Sequence, residues 1–433
     1  MRQNSFPSST SVRGVTSSAQ SSRDKAKFRS GVLGDYPDRY FSAPRSFENG
    51  EPKRIALIFR ERLLAPSESF IREQARPLRN YQPVLVGLRR TSPSLQHSLP
   101  EVLLRNGESQ LDKLAVCAFR KVPVAPNFYD RLRSVKPSVI HAHFAIDAVQ
   151  ALSIAERLDL PLIVSLHGFD VTSTEQALRR TFAGRHFLKH RQRLLSRATA
   201  FICVSRFLRQ TALEAGFPES RLHVHYTGID CERYRNPELE RAPGLILFVG
   251  RLVEVKGCEY LLRAMVQVQK QNPQAHLEVI GDGPLRATLE ALARELSVRV
   301  TFRGTQSPEE VMRSMSRARI LCNPSVKAST GDMEGFGMVF AEAQALGTPV
   351  VSFTHGAIPE VVNHGATGLL CRERDVSALS ESIGKLLDDH ALWAQMSQRG
   401  SVWVRERFDI AVQTKKLEAL YDESIAQHCS RSI

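Results

Sequence analysis

The sequence predicts an α/β protein built from two consecutive parallel-sheet domains. From Lys53 onward, short apolar runs alternate with helical stretches, the pattern of a parallel sheet covered on both faces. The runs fall into two series. The segment 228–243 between them carries Gly, Pro and charges with little apolar content, and reads as an interdomain linker. A chain of 433 residues is long enough for two such cores.

The first series comprises Arg54–Phe59, Pro83–Val86, Ser138–His141, Pro161–Leu166 and Thr199–Val204. The second comprises the run from Leu245, then Ala275–Ile280, Arg299–Phe302, Arg319–Cys322 and Pro349–Phe353. Runs such as Arg54–Phe59 and Pro161–Leu166 are apolar over most of their length, as expected for a strand buried on both sides. The last stretch, from Asp375 to about Gln427, is helical in pattern. Residues 1–50 are rich in Ser and Arg, poor in apolar side chains and aperiodic, and read as a disordered tail. Such an acid-poor N-terminus also suggests an organelle transit peptide, although it shows no clear amphipathic pattern.

Composition fits an enzyme of the cytoplasm. No apolar run approaches the ~18 residues of a membrane span, and no apolar signal-peptide core is visible. Seven dispersed cysteines without a Cys-x-x-Cys pair point to buried thiols in a reducing compartment. The net charge of +14 is unevenly placed. Residues 1–50 carry 8 Lys/Arg against 4 Asp/Glu, residues 51–240 carry 29 against 19, and residues 241–433 carry 22 against 22. The excess therefore lies in the front half.

The richest motif is Glu334-Gly-Phe-Gly-Met-Val-Phe-Ala-Glu342, two carboxylates eight positions apart with two glycines beside the first. Gly335 and Gly337 allow close approach of a ligand, and a helix from about Met338 offers unpaired N–H groups and a partial positive charge. Upstream, Arg251 and Lys256 follow the apolar run Leu245–Gly250 and add two full positive charges. Cations for a diphosphate, flanked by acceptor-only carboxylates for hydroxyls, describe a nucleotide-sugar pocket. No Asp-x-Asp follows a strand, so two side-chain cations, and no metal, are expected to neutralise a departing diphosphate. No other cofactor is implied, because the nucleotide-sugar is a substrate.

Gly250-Arg251 with Lys256-Gly257, Ile280-Gly-Asp-Gly-Pro284, Glu334 to Glu342 and Ala345-Leu-Gly-Thr-Pro-Val350 follow one another over about 110 residues. This succession resembles the donor site of the family 4 retaining glycosyltransferases. The resemblance implies a GT-B fold, two Rossmann-like domains whose parallel sheets face a central cleft. It implies an acceptor-binding domain over 51–235, a nucleotide-sugar domain over 236–405, and a final helix, 406–433, crossing back with Trp403, Phe408 and Leu417 packed on the first domain. Glu342 is expected to hold the ribose hydroxyls and Glu334 those of the transferred sugar. Backbone N–H groups of Phe336, Gly337, Met338 and Val339 would contact sugar and phosphate, and Arg303 to Thr305, including Gly304, would border the base.

The front half adds Pro66-Ser-Glu-Ser-Phe-Ile71, Ile140-His-Ala-His-Phe144 and Pro161-Leu-Ile-Val-Ser-Leu-His-Gly-Phe-Asp170, which resemble the branch that builds bacterial exopolysaccharides, including colanic-acid type polymers. His167 and Asp170 follow a buried strand at its C-terminal end, the end that faces the ligand crevice in open α/β sheets. His167 is expected near the reacting carbon, with His141, His143 and Asp170 as acceptor-side candidates. The resemblance implies a hexosyltransferase moving sugar from a UDP- or GDP-sugar to a glycan acceptor carried on a polyprenyl diphosphate. A GT-B sugar-nucleotide epimerase, or a basic nucleic-acid- or membrane-binding protein without catalysis, are the alternatives. No aromatic-basic interleaving supports a nucleic-acid partner. Between Glu175 and Glu214 no acid interrupts nine positive charges. Arg185, Lys189, Arg191 and Arg193 in that stretch are candidates for a patch that meets an anionic membrane surface.

Overall fold

A computed structural model describes residues 53–431, except 64, 66–67, 92–96, 108 and 236–238. The tail expected over 1–50, with its transit-peptide alternative, lies outside the described residues.

The two series of apolar runs form two all-parallel sheets. The first contains β1 (Arg54–Phe59), β2 (Tyr81–Gly87), β3 (Glu101–Leu103), β4 (Pro137–His143), β5 (Leu162–Leu166), β6 (Ala200–Cys203) and β7 (Leu222–Val224), in spatial order β3-β2-β1-β4-β5-β6-β7. The second contains β8 (Leu245–Val249), β9 (His276–Ile280), β10 (Val300–Gly304), β11 (Ile320–Cys322), β12 (Val350–Phe353) and β13 (Gly368–Cys371), in order β10-β9-β8-β11-β12-β13. Five helices matter below: α1 (Gln110–Lys121), α2 (Ala145–Leu158), α3 (Phe182–Arg197), α4 (Met338–Ala345) and α5 (Ile410–Arg431).

Strand order fixes where a ligand can sit. Each sheet reverses direction once, between β1 and β4 and between β8 and β11. Crevices open at the C-terminal ends of the strands at such switch points. Arg60 follows β1, His143 ends β4, and Arg251 lies two residues past β8. The chemistry-bearing motifs therefore converge because of topology, although they are distant in sequence.

The chain end returns to the first sheet. Leu417, Leu420 and Tyr421 of α5 pack in one apolar cluster with Ala56, Ile58, Ile163 and Ile202. Glu418 of α5 accepts from the backbone N–H groups of Arg79 and Asn80 at 2.6 and 2.7 Å. Phe408 lies between Tyr226 and Phe336, with ring centroids 5.3 Å from each. Trp403 departs from expectation: its indole N–H donates to the Val361 carbonyl at 3.0 Å, so this ring is anchored on the second lobe.

Candidate active site

A cleft of about 1400 Å³ lies between the two sheets' C-terminal ends, lined by both lobes. On the second lobe, the 3₁₀ turn Glu254–Lys256 after β8 presents Lys256. Lys256 Nζ lies 2.6 Å from Glu334 Oε2, and Ser325 Oγ donates to the same oxygen at 3.3 Å. Burial pushes the Glu334 carboxyl up, but Lys256, Ser325 and the neighbouring His355 outweigh it and hold it below its usual range. Glu334 is therefore an ionised carboxylate only 8% exposed. Arg251 is exposed on the cleft wall and forms no ion pair among the described residues. One cation is thus committed to a carboxylate, and the other is available.

Gly335 joins the lobes. A Cβ there would lie 2.2 Å from the His167 carbonyl oxygen, so only glycine lets the two loops touch backbone to backbone. Gly337, at φ +83°, then turns the chain into α4, which has no side-chain cap. Met338 and Val339, the first residues of α4, line the cleft with Phe336 and Gly337. An uncapped helix start beside two cations is an anion-binding arrangement. One turn in, Glu342 accepts from the Tyr234 hydroxyl at 3.1 Å, and burial pushes its carboxyl up. Below Arg251, the Gly281–Pro284 turn is seated so closely that a Cβ on Gly281 would lie 1.9 Å from the Gly250 carbonyl oxygen. That turn props the Arg251 loop.

On the first lobe, His167 alone of the four predicted polar residues lines the cleft. Its imidazole is 3.0 Å from that of His143 through Nε2 and Nδ1, and it packs against Phe144 and Phe70 with centroids 4.6 and 4.8 Å away. Burial pushes the His167 imidazole down to about 3, with the His141 and Arg60 charges adding to the effect. His167 is neutral at physiological pH.

The acceptor-side expectation for the other three is corrected. His141 is fully buried, 2.7 Å from both the Tyr421 hydroxyl and Ser165 Oγ, and ties α5 to the sheet. His143 is sandwiched between His141 and His167, 4.5 and 5.2 Å centroid to centroid, and acts on the cleft only through His167. Asp170 turns inward: it accepts from the N–H groups of Ala145, His167 and Gly168 at 2.8, 3.0 and 3.1 Å. It fixes the His-Gly loop to the start of α2. Arg303 and Gly304 also differ from expectation. They lie outside the cleft lining, and Arg303 is held by Glu278, Glu310 and Ser314 at 3.3, 3.6 and 3.0 Å.

Several cleft or supporting residues escaped the sequence reading. Arg60 is clamped by both oxygens of Glu68, at 2.7 and 3.1 Å, and by Asp147, with its guanidinium 4.5 Å above the Phe144 ring. Burial alone would lower the Arg60 guanidinium, but Asp147 and Glu68 more than offset this and hold it raised. His355 accepts from the Glu334 N–H at 3.4 Å and donates to Glu373 at 2.7 Å, which sets its tautomer. Arg60 and His355 both stand just past the end of a strand, and that placement was the available signal. Tyr234 lay in the presumed linker and gave none.

The four basic candidates on α3 do not share one face. Arg185 and Lys189 are exposed, as is Arg193, which pairs with Glu156. Arg191 turns to the other side, donating to the Ala215 carbonyl and lying 5.8 Å from the Phe217 ring centre. Among the described residues no helix is long and apolar enough to cross a membrane, and no group of three or more His, Cys, Asp or Glu could hold a metal ion.

Comparison with known proteins agrees with this architecture. The sequence models for "Glycosyltransferase Family 4" and "Glycosyl transferases group 1" match residues 68–233 and 232–403. The putative colanic acid biosynthesis glycosyltransferase WcaL of Salmonella typhimurium is 27% identical over 290 residues, 65% of this chain and 70% of the relative. A GDP-mannose-dependent alpha-(1-6)-phosphatidylinositol monomannoside mannosyltransferase of Mycolicibacterium smegmatis is 29% identical over 272 residues, 60% of this chain and 69% of the relative. Among solved structures, Anabaena HepE in complex with UDP and glucose superposes with a TM-score of 0.69 at 20% identity, covering 86% of this chain and all of that one. The two lobes, the motif order and these matches agree, and the chain belongs to the family 4 glycosyltransferases of GT-B fold, with relatives in exopolysaccharide synthesis.

Proposed function

We propose that this transferase moves a hexose from a UDP- or GDP-sugar to a lipid-linked glycan acceptor, with retention of anomeric configuration and without a metal ion or other cofactor. One observation carries the reading: Arg251, without an ion pair among the described residues, and a Glu334-paired Lys256 stand beside the uncapped start of α4. A diphosphate fits there. Arg251 and the Met338 and Val339 amides meet its oxygens, and Lys256 neutralises charge as the glycosidic bond to phosphate breaks. Glu334 accepts hydroxyls of the transferred sugar, Glu342 those of the ribose. His167, neutral and anchored by His143, borders the reacting carbon opposite the diphosphate. The acceptor hydroxyl then bonds to the anomeric carbon on the face from which the diphosphate departs, its proton passing to the leaving diphosphate, which is the geometry retention requires.

The acceptor enters from the first lobe. The named activities of WcaL and of the mannosyltransferase, both acting in surface-polymer or lipid-anchored glycan synthesis, support this assignment. The exposed cations Arg185, Lys189 and Arg193 support reversible contact with anionic lipid, each contributing about 1 kcal/mol near such a surface. Incubating the protein with a panel of UDP-, GDP- and ADP-sugars in EDTA, and measuring released nucleoside diphosphate, tests the core of the reading. One UDP- or GDP-sugar should be hydrolysed slowly without added metal. Release only on adding a divalent ion would contradict the metal-independent mechanism, and isomerisation of the sugar at carbon 2 would favour the epimerase.

A further inference from the structure

The loop 323–337, between β11 and α4, skirts the cleft before it reaches Glu334. Its tip is tied to both lobes. The Ser329 N–H and hydroxyl donate to Glu254 at 2.8 and 2.7 Å, joining the tip to the turn that carries Lys256. The Thr330 carbonyl accepts from the Thr174 N–H at 2.9 Å, and the Met333 N–H donates to the Thr172 hydroxyl at 3.2 Å. Thr172 and Thr174 belong to the first lobe, on the segment that follows His167. Gly331, at φ +88°, turns so closely against that segment that a Cβ would lie 2.8 Å from the Thr172 carbonyl oxygen. Asp332 sits between these anchors, and its own carbonyl accepts from the Ala328 N–H at 3.0 Å.

Asp332 lines the cleft and is half-buried, and its carboxylate has no side-chain hydrogen bond or ion pair among the described residues. The acids around it are engaged. Glu254 holds Ser329, Glu334 is met by Lys256 and Ser325, and Glu342 by Tyr234. On the first-lobe wall, Glu61 accepts from Arg120 of α1 at 3.1 Å, and Asp147 of α2 accepts from Arg60. Burial pushes the Asp332 carboxyl up. The Lys256 and Arg251 charges and the Met333 N–H offset only part of this, and Glu334 adds to it. A half-buried acceptor in this condition gains from any donor that a ligand brings. The charges it feels also locate it: Arg251 and Lys256 would face the diphosphate, and Glu334 the transferred sugar.

We propose that Asp332 is a specificity-determining residue of the donor site, its carboxylate accepting a hydroxyl of the transferred hexose beside Glu334. The inference rests on the diphosphate placement of the proposed function and deepens it. An ionised carboxylate accepts and does not donate, so it favours a hexose with a hydroxyl aimed at it over an epimer whose hydroxyl points away. Anchoring by both lobes fixes the carboxylate where the first-lobe loop carrying His167 arrives, so the sugar is read at the place where it meets the acceptor.

The test combines calorimetric titration of UDP and GDP with initial rates of hydrolysis of UDP-glucose, UDP-galactose and GDP-mannose, on the wild type, Asp332→Asn and Asp332→Glu. In Asp332→Asn, kcat/KM for the preferred sugar should fall about tenfold, with little change for the others. The free nucleotide should bind about threefold more tightly, because a negative charge has left the neighbourhood of Arg251 and Lys256. A loosened loop could not produce these opposite signs. Asp332→Glu keeps the charge but moves the oxygens, so it should retain wild-type nucleotide affinity and still lose discrimination. A parallel fall in nucleotide affinity and turnover in Asp332→Asn would assign a merely structural role and overturn the inference, as would unchanged discrimination among the three sugars. Failure of the wild type to bind either nucleotide would overturn the diphosphate reading, and this inference with it.

Discussion

Replacing Lys256 by alanine perturbs two functions of one ammonium group, and the structure allows them to be separated. In the unliganded protein Lys256 neutralises Glu334 across 2.6 Å, with side-chain exposures of 21% and 10%. Removing one partner of a buried pair leaves an uncompensated charge, at a cost of about 3–5 kcal/mol for a fully buried pair. Here the residual exposure and the hydrogen bond from Ser325 moderate it, so a loss of about 2 kcal/mol in unfolding free energy is expected. The sign of the associated pKa change is definite. Without Lys256, burial dominates and the Glu334 carboxyl moves up. The catalytic loss is larger. Removing one preorganised charge from a site where negative charge develops costs about 10²–10³ in kcat. Lys256→Met combined with Glu334→Gln removes both charges, so it should recover most of the stability and none of the turnover. Chemical denaturation and steady-state release of nucleoside diphosphate measure the two quantities. Near-normal kcat in Lys256→Ala, or turnover recovered along with stability in the double variant, would refute the reasoning.

Three further outcomes follow from the geometry. Glu342→Ala should weaken UDP or GDP binding about tenfold with a smaller effect on kcat, because a ribose contact exists in ground and transition states alike, and calorimetric titration measures it. His143→Phe keeps the ring stack but removes the partner of His167, so kcat should fall about tenfold with little change in KM for the donor, and His143→Gln should restore part of it. Burial pushes the His141 and His167 imidazoles from 6.5 down to about 3, so stability present above about pH 6.5 is lost as the pH falls toward 3. Asp170, pushed up from 3.8 to about 6, acts in the opposite sense over part of that window. The histidine effect should prevail, and His141→Asn should flatten the decline of the melting temperature with acidification.

The sequence was most informative where function and local pattern coincide. The long apolar runs of the central strands were legible because burial on both faces removes polar residues from them. The short strands β3, β7 and β13, of three or four residues, escaped because an edge strand needs no such run. On the donor side, glycines and charges lie within a dozen residues of each other, so Arg251, Lys256, Glu334 and Glu342 could be read as a unit. Arg60 could not, since Asp147, which clamps it, lies 87 positions away. Asp170 misled for a related reason. Placement after a strand locates a residue at the crevice end, but not whether its carboxylate faces ligand or the backbone amides behind it. The Arg191 error on α3 is one of helical phase, because a run of basic residues in sequence is dealt around all faces of a helix.

The central claim is that the second-lobe wall of the cleft holds the diphosphate of a nucleotide-sugar. Calorimetric titration of UDP and GDP into the wild-type protein and into Arg251→Glu, in EDTA, tests it most directly, because Arg251 is exposed and forms no ion pair among the described residues, so its replacement should leave the fold undisturbed. The wild type should bind one of the two nucleotides at a single site, and the variant should lose at least tenfold in affinity through charge repulsion alone. Equal binding by both proteins, or binding of neither nucleotide by the wild type, would contradict the account.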